Sequence, residues 1–328
     1  MKAAFVGVSQ ENFDRVYGER QRAALASRVK LLPGVFADVR DPALCDVEAI
    51  FSTWGMPSVS AAEIREYLPR LRYVFYAAGS VQGFARPFLD CGVRVFSAWQ
   101  ANAVPVVTFA FSQILLALKG FFPAQAMTRE SRARAAEIQT HYPGVFDAKV
   151  GLLGCGAIGS RVAQMLRPMD VEVWVFDPFL SDEKAQQLGV EKHSLDEIFA
   201  QCDVVSNHLA NLPATVGIIR REHLLLMKPY STFINTGRGP QLDEKDLFDM
   251  LTADSTRWAL LDVMTDEERS DENPLNGLPN CLITPHIAGS TGNEVRRMAD
   301  YMIEAFDLVA AGRSCGYEVT APMLDTMA

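Results

Sequence analysis

The sequence predicts an α/β protein built from two doubly wound domains, one inserted into the other. Three observations carry this expectation. The chain has 328 residues, more than a single hydrophobic core usually serves. Short β-like runs alternate with helical patterns along most of its length, the signature of parallel sheets covered by helices. A glycine-rich turn lies in mid-chain, at Gly154 to Gly159, and an amphipathic stretch from Thr291 to Ala311 follows it late in the sequence, placed to return to the domain that the N-terminus begins.

The elements follow in order. Met1-Lys2-Ala3-Ala4-Phe5-Val6-Gly7-Val8 reads as a first strand rather than a leader, because no extended apolar run precedes a small-residue cleavage site. Further strands are expected at Ala49 to Ser52, Tyr73 to Ala77 and Arg94 to Phe96. The apolar segment Val104 to Phe122 reads as one or two buried helices bridging the domains, since Thr108, Ser112 and Gln113 interrupt it and Pro123 follows. No apolar stretch is expected to reach membrane length. Lys149 to Leu153, the glycine loop, a helix through Arg167 and Val171 to Phe176 form one βαβ unit. Ser194 and Glu197 have capping-box spacing, which predicts a helix from Leu195 towards Gln201 before the strand Asp203 to Ser206. Strands are also expected at Ser231 to Asn235, Trp258 to Asp262 and Cys281 to Thr284.

Composition excludes some functions. Apolar residues make up 49% and charged residues 22%, the balance of a globular protein, and the formal charge of −9 argues against binding a phosphate backbone. A small molecule is the expected partner, with no nucleic acid and no membrane. The six cysteines form no CxxC pair and no secreted framework. They are read as reduced thiols in a cytoplasmic protein, with no metal site.

Gly154-Cys155-Gly156-Ala157-Ile158-Gly159 matches GxGxxG between a strand and a helix. The first glycine permits the turn, the second lets the backbone approach a pyrophosphate, and the third lets helix pack on strand. The anion would sit against free N–H groups at the helix N-terminus. Asp177 follows the next strand, 18 residues after Gly159, where a carboxylate can accept from ribose hydroxyls. Its charge disfavours a 2′-phosphate, and Pro178 and Phe179 follow rather than arginine, so the expected cofactor is NAD.

Three more segments follow: Asn235-Thr236-Gly237-Arg238-Gly239, Leu261-Asp262-Val263-Met264-Thr265-Asp266-Glu267, and Pro285-His286-Ile287-Ala288-Gly289-Ser290. With the glycine loop, in this order and at these separations, they resemble the D-isomer-specific 2-hydroxyacid dehydrogenase family. The resemblance is strong over about two-thirds of the chain and loose over the N-terminal third. It implies an NAD-binding Rossmann domain at 102–288, inserted into a flavodoxin-like substrate domain made of 1–101 and 289–328. It also implies a cleft between them that closes on substrate, and a homodimer through the cofactor domain.

Reducing a 2-oxo acid requires a cation to hold the carboxylate and polarise the carbonyl, and a proton donor at the oxygen as hydride reaches C2. Arg238 offers the planar fork for the first task. His286 suits the second, because an imidazole changes charge near neutrality. Glu267 would orient that ring and stabilise its charged form. Read singly, Arg238 could instead pair with Asp243, His286 could be a core histidine, and Glu267 could belong to a solvated acidic loop. The resemblance places Asp262 near the nicotinamide carboxamide and His208 and Thr236 beside the cofactor. It makes Ala78-Gly79-Ser80 a carboxylate-receiving loop, with Trp54 facing the same cleft. His141, His193 and His223 are read as surface or structural residues.

This sequence departs from the family pattern where Thr108 replaces the usual glutamate and where Glu268 replaces the proline after the catalytic glutamate. The resemblance implies a small 2-hydroxy or 2-oxo acid as substrate, of the phosphoglycerate, glycerate and hydroxypyruvate, or glyoxylate kind. An NAD-sensing corepressor-like binding protein would leave nearly the same trace. A formate dehydrogenase would carry glutamine in place of Glu267.

Overall fold

The computed structural model describes residues 1–325 and divides into two compact units, Met1–Val104 with Ser290–Ala328, and Pro105–Gly289. In the first unit, five strands run parallel: β1 (Lys2–Val6), β2 (Lys30–Phe36), β3 (Ala49–Ser52), β4 (Tyr73–Tyr76) and β5 (Arg94–Ser97). Their spatial order is β5-β4-β3-β1-β2, the doubly wound flavodoxin-like arrangement. The central strands β3 and β4 are buried at every position, as parallel strands covered on both faces should be.

The edge strand β2 differs. Pro33 and Gly34 sit within it, four of its seven positions are half-buried and three are exposed, and its register on β1 slips between Ala3 and Phe5. Proline has no N–H for a ladder, so such a strand belongs at an edge.

The second unit holds seven parallel strands: β6 (Phe146–Leu153), β7 (Asp170–Phe176), β8 (Glu191–Lys192), β9 (Val204–Asn207), β10 (Thr232–Asn235), β11 (Trp258–Leu261) and β12 (Cys281–Ile283). Their order is β12-β11-β10-β9-β6-β7-β8, which is the Rossmann order with one further strand and reverses direction between β6 and β9. The helix Leu195–Gln201 starts with the capping box formed by Ser194 and Glu197, and it packs Ile198 and Phe199 into the core.

After this unit the chain re-enters the first. The helix Val295–Ala310 buries Met298, Ala299, Met302 and Phe306 in a core with Phe51, Phe75 and Phe96, whose rings stack 5.0 Å apart in sequence. A short strand β13 (Glu318–Val319) then adds antiparallel to β5, where Glu318 forms a two-point ion pair with Arg94.

The expectation that no apolar segment reaches membrane length is corrected by the helix Trp99–Leu118, which has 20 residues and a mean hydropathy of 1.7 over its most apolar window. Half of that window is buried in the protein, and Val107, Ala110, Ile114 and Leu118 belong to the core of the second unit. Its apolarity serves that core, which a count of apolar residues alone does not reveal. All six cysteines are free thiols. His193 stacks on Trp174 at 3.6 Å and His141 on Tyr230 at 4.2 Å, and His223 accepts from the Arg220 N–H, so all three have local structural partners.

Candidate active site

The second sheet keeps its strands in step, so their carboxyl ends form one row. Phe176 pairs with Leu153, Leu153 with Asn207, Asn207 with Asn235, Asn235 with Leu261, and Leu261 with Ile283. Immediately beyond these ends come Asp177, Gly154, His208, Thr236 to Arg238, Asp262 and Thr284 to His286. In open parallel sheets this edge, near the reversal of strand order, is where ligands bind.

At the end of β6, Gly154 takes a positive φ of 91°, and a methyl group there would lie 2.8 Å from the His208 carbonyl oxygen. Gly159 opens the helix Gly159–Leu166, and a side chain on it would strike the Gly154 carbonyl. A methyl group on Gly156, by contrast, would meet nothing within 4 Å. Two glycines therefore close the turn on itself, and the third keeps open space above a helix N-terminus. Asp177 completes the arrangement: Oδ2 accepts from the Cys155 N–H at 2.7 Å and Oδ1 from the Phe179 N–H at 2.8 Å. The carboxylate thus fixes the glycine loop while lying at the end of β7. Cys155 is inert by comparison, since burial pushes its thiol up to about 11. These features fit a dinucleotide.

His208 is buried, with Nε2 3.0 Å from the Ser206 hydroxyl and Nδ1 3.3 Å from the Thr236 hydroxyl. Both ring nitrogens are occupied by neutral partners, and burial pushes the imidazole down to about 4. It is a neutral support behind the glycine loop.

Arg238 is half-buried, and its Nη1 donates to the Gly237 carbonyl at 2.7 Å. Burial lowers its affinity for the proton, and the charge of Glu267 acts in the opposite direction. It forms no pair with Asp243, whose carboxylate instead caps the helix Glu244–Ala253 by accepting from the N–H groups of Lys245 and Asp246. The next residue, Gly239, admits no side chain, because one would collide with the backbone of Met264 and Thr265. That close approach brings the Arg238 segment against the start of the loop carrying Glu267.

Glu267 and His286 meet directly. Nδ1 of His286 lies 2.9 Å from Oε1 and 3.0 Å from Oε2 of Glu267, and both side chains are about half exposed, at 48% and 46%. His286 has a positive φ of 53°, a conformation uncommon outside glycine. Asp262, only 2% exposed, holds that turn. Its Oδ1 accepts from the Ile287 N–H at 2.8 Å and the Thr284 hydroxyl at 2.6 Å, and its Oδ2 accepts from the Ala288 N–H at 2.8 Å. A carboxylate has about four acceptor directions; three serve the histidine turn.

Around the Glu267–His286 pair, sequence reading missed two supporting residues. Glu244 accepts from the Thr265 N–H at 2.6 Å and from the Asn273 amide at 2.6 Å, so it clasps the Glu267 loop from both sides. Thr284 is the hydroxyl donor to Asp262. Neither motif spacing nor charge pattern marks such contacts.

In the first unit, Trp54 and Ala78 to Ser80 follow the carboxyl ends of the adjacent strands β3 and β4. Ala78 is buried, Gly79 half-buried and Ser80 exposed, and the Ser97 hydroxyl lies within hydrogen-bond reach of the carbonyls of Ala78 and Gly79, at 3.0 and 2.6 Å. The Asn102 side chain packs on Gly79, 3.4 Å from where a methyl group would stand.

Comparison with known proteins supplies the family. The description "D-isomer specific 2-hydroxyacid dehydrogenase, NAD binding domain" matches residues 111–288, more than half of the chain. The chain belongs to this family. The D-3-phosphoglycerate dehydrogenase of Mycobacterium bovis is 34% identical over 221 residues, covering 67% of this chain and 41% of that protein. This chain thus aligns with less than half the length of that curated relative. Among solved structures, a phosphoglycerate oxidoreductase from Rhizobium etli superposes with a TM-score of 0.79 at 20% identity, over 98% of this chain and 99% of that one. An NAD-complexed D-isomer specific 2-hydroxyacid dehydrogenase from Lactobacillus delbrueckii gives 0.76 at 18% identity, over 98% and 100%. At such identities these two structures establish the fold. The matched segment is the family's NAD-binding domain, and it contains the glycine loop, Asp177, Arg238, Glu267 and His286.

The burial of His208 predicts a pH-dependent stability. An unfolded imidazole titrates near ~6.5 and this one near 4, so between those values the unfolded chain binds the extra proton. The contribution is fully present above the unfolded value and is lost as pH falls toward 4, at up to about 1.4 kcal/mol per pH unit. Urea unfolding at pH 7, 6 and 5 should show this loss, and His208→Gln should flatten it. An unchanged slope in the variant would mean that other groups cause it.

Proposed function

We propose that the protein is an NAD-dependent oxidoreductase that moves hydride between the nicotinamide and C2 of a small 2-hydroxy or 2-oxo acid. The observation that carries this reading is the Glu267–His286 pair, standing on the same row of strand ends as half-buried Arg238. The bound dinucleotide supplies or accepts the hydride. Gly154 to Gly159 and Asp177 hold its pyrophosphate and ribose, with Thr236 and His208 supporting that loop, and the remaining acceptor direction of Asp262 is available to a carboxamide.

Arg238 pairs with the substrate carboxylate and polarises the 2-oxo group. Its planar fork matches a carboxylate in two contacts, and desolvation strengthens both. Because Nδ1 of His286 is engaged by Glu267, Nε2 is the nitrogen left to pass a proton to the carbonyl oxygen in reduction, or to take it from the hydroxyl in oxidation. The Glu267 carboxylate fixes the ring's direction and stabilises imidazolium when it forms. In the first unit, the turn Ala78 to Ser80, with Trp54 on the neighbouring strand end, offers backbone N–H groups to a carboxylate.

We infer a substrate of the phosphoglycerate, glycerate and hydroxypyruvate, or glyoxylate class that the resemblance implies, with the names of the relatives favouring phosphoglycerate. We also infer a homodimer formed through the second unit. Leu116 and Phe121 expose 38% and 46% of their surface there, and Gln113, on the same helix as Leu116, buries a side-chain oxygen that has no partner among the described residues. Sedimentation should give twice the mass of the chain; a monomer at micromolar concentration would remove the dimer.

A panel of 2-oxo acids, followed by absorbance with NADH and with NADPH, tests the reading. Turnover of at least one acid is expected, with NADH preferred because Asp177 opposes a 2′-phosphate. His286→Ala should lose about a hundredfold or more in kcat, with NADH binding retained. Glu267→Gln keeps the shape and removes the charge, so it should lower kcat by about tenfold or more while NADH binding is retained. A kcat equal to the unmodified enzyme's, measured where proton transfer limits the rate, would break the pair.

A further inference from the structure

Beneath Arg238 lies a cluster of three side-chain amides, Asn207, Asn235 and Gln241, each fully buried. Burying an amide without partners is costly, so a buried cluster persists only where its hydrogen bonds are made. Here they nearly all are. The Asn207 Nδ2 donates to Asn235 Oδ1 at 2.9 Å and to Gln241 Oε1 at 2.7 Å, and Asn207 Oδ1 accepts from the Leu209 N–H at 3.2 Å. The Gln241 Nε2 donates to the carbonyls of Leu209 and Ala210, both at 3.0 Å. Turning either amide over would set donor against donor, so the network fixes its own orientation.

The remaining contacts of this cluster go to Arg238 and the residue before it. Gln241 Oε1 accepts from the Arg238 N–H at 3.1 Å, and Asn235 Nδ2 donates to the Arg238 carbonyl at 3.3 Å. Asn235 Oδ1 accepts from the Gly237 N–H at 3.0 Å, and the guanidinium rests on the carbonyl of that same Gly237. Both peptide groups flanking Arg238 are therefore oriented by side-chain amides. Gly237 itself belongs to the device, because a methyl group there would lie 2.7 Å from Gln241 Oε1 and 2.8 Å from Asn207 Nδ2.

We propose that Asn207, Asn235 and Gln241 are positioning residues for Arg238, fixing where its guanidinium meets the substrate carboxylate, with Gly237 kept small to admit them. The inference rests on Arg238 being the carboxylate-holding cation. None of the three touches the substrate; they act through the arginine backbone. The chemistry demands such a support, since a two-contact pairing tolerates little displacement of the fork.

The test uses Gln241→Met, which keeps length and removes the hydrogen bonds, and oxalate as a non-reacting probe. Binding of oxalate to the NADH-loaded protein is measured by calorimetry, beside KM and kcat for a 2-oxo acid that the protein reduces. Gln241→Met should weaken oxalate and raise KM by about tenfold or more, since misplacement of about 1 Å can cost a hundredfold. NADH affinity should stay within about twofold, because the glycine loop is untouched. In an Arg238→Lys background the same substitution should add no further loss of oxalate binding, which a general loosening of the fold would still produce. Gly237→Ala, which removes no polar group, should reproduce the oxalate defect; it gives an independent measurement if Gln241→Met does not fold. Unchanged oxalate binding in either folded variant, or an equal loss in both arginine and lysine backgrounds, would overturn the positioning role. If the unmodified protein with NADH neither binds oxalate nor reduces any 2-oxo acid, the reading of the site itself fails and the positioning claim falls with it.

Discussion

The buried carboxylate of Asp262 is the constraint on which the site depends. It follows β11, next to the edge strand β12, and gathers two backbone N–H groups and one hydroxyl from the turn beyond β12. Hydrogen bonds to a charged group contribute about 1.5–3 kcal/mol each. Holding a non-glycine residue such as His286 in the left-handed region costs roughly 1–3 kcal/mol. Three such bonds outweigh that strain, so the turn is stable with a histidine in it. The imidazole is consequently aimed by backbone geometry before Glu267 refines its direction.

The same economy of means appears along the whole row. A parallel sheet in step delivers each chemical group at the end of its own strand, and short-range devices then set the final angle. Asp177 bonds the glycine loop, the amides of Asn235 and Gln241 bracket Arg238, Glu244 clasps the Glu267 loop, and Asp262 bends the His286 turn. Carboxylates and amides do this work because they accept or donate in two directions at once.

Much of this was legible in the chain. The glycine loop, the acid after β7, the capping box at Ser194 and the alternation of strands and helices are local patterns, written within a few residues of one another. The edge strand β2 was not among the expected strands: it contains Pro33 and Gly34, which a strand pattern does not predict, whereas at an edge the missing N–H is harmless. The length of the apolar helix Trp99–Leu118 was misjudged because Thr108, Ser112 and Gln113 were taken as interruptions, whereas Thr108 and Ser112 lie on its exposed face and none of the three breaks the helix. Asn207, Gln241, Thr284 and Glu244 were illegible as site residues. Their partners lie across separate strand ends or in another loop, and an amide or acid in a motif's shadow carries no signal until the fold closes around it.

The central claim is a chemical one, that hydride passes between the cofactor and C2 of a 2-oxo acid held at this row of strand ends. Its most direct test is isotopic. The protein is incubated with NADH carrying deuterium at both C4 positions of the nicotinamide and with a 2-oxo acid from the class proposed, and the product is examined by proton NMR. The account predicts a 2-hydroxy acid with deuterium at C2, a single configuration at that carbon, and loss of product in Arg238→Ala. A product bearing only solvent hydrogen at C2, or no 2-hydroxy acid from any member of the class, would contradict it.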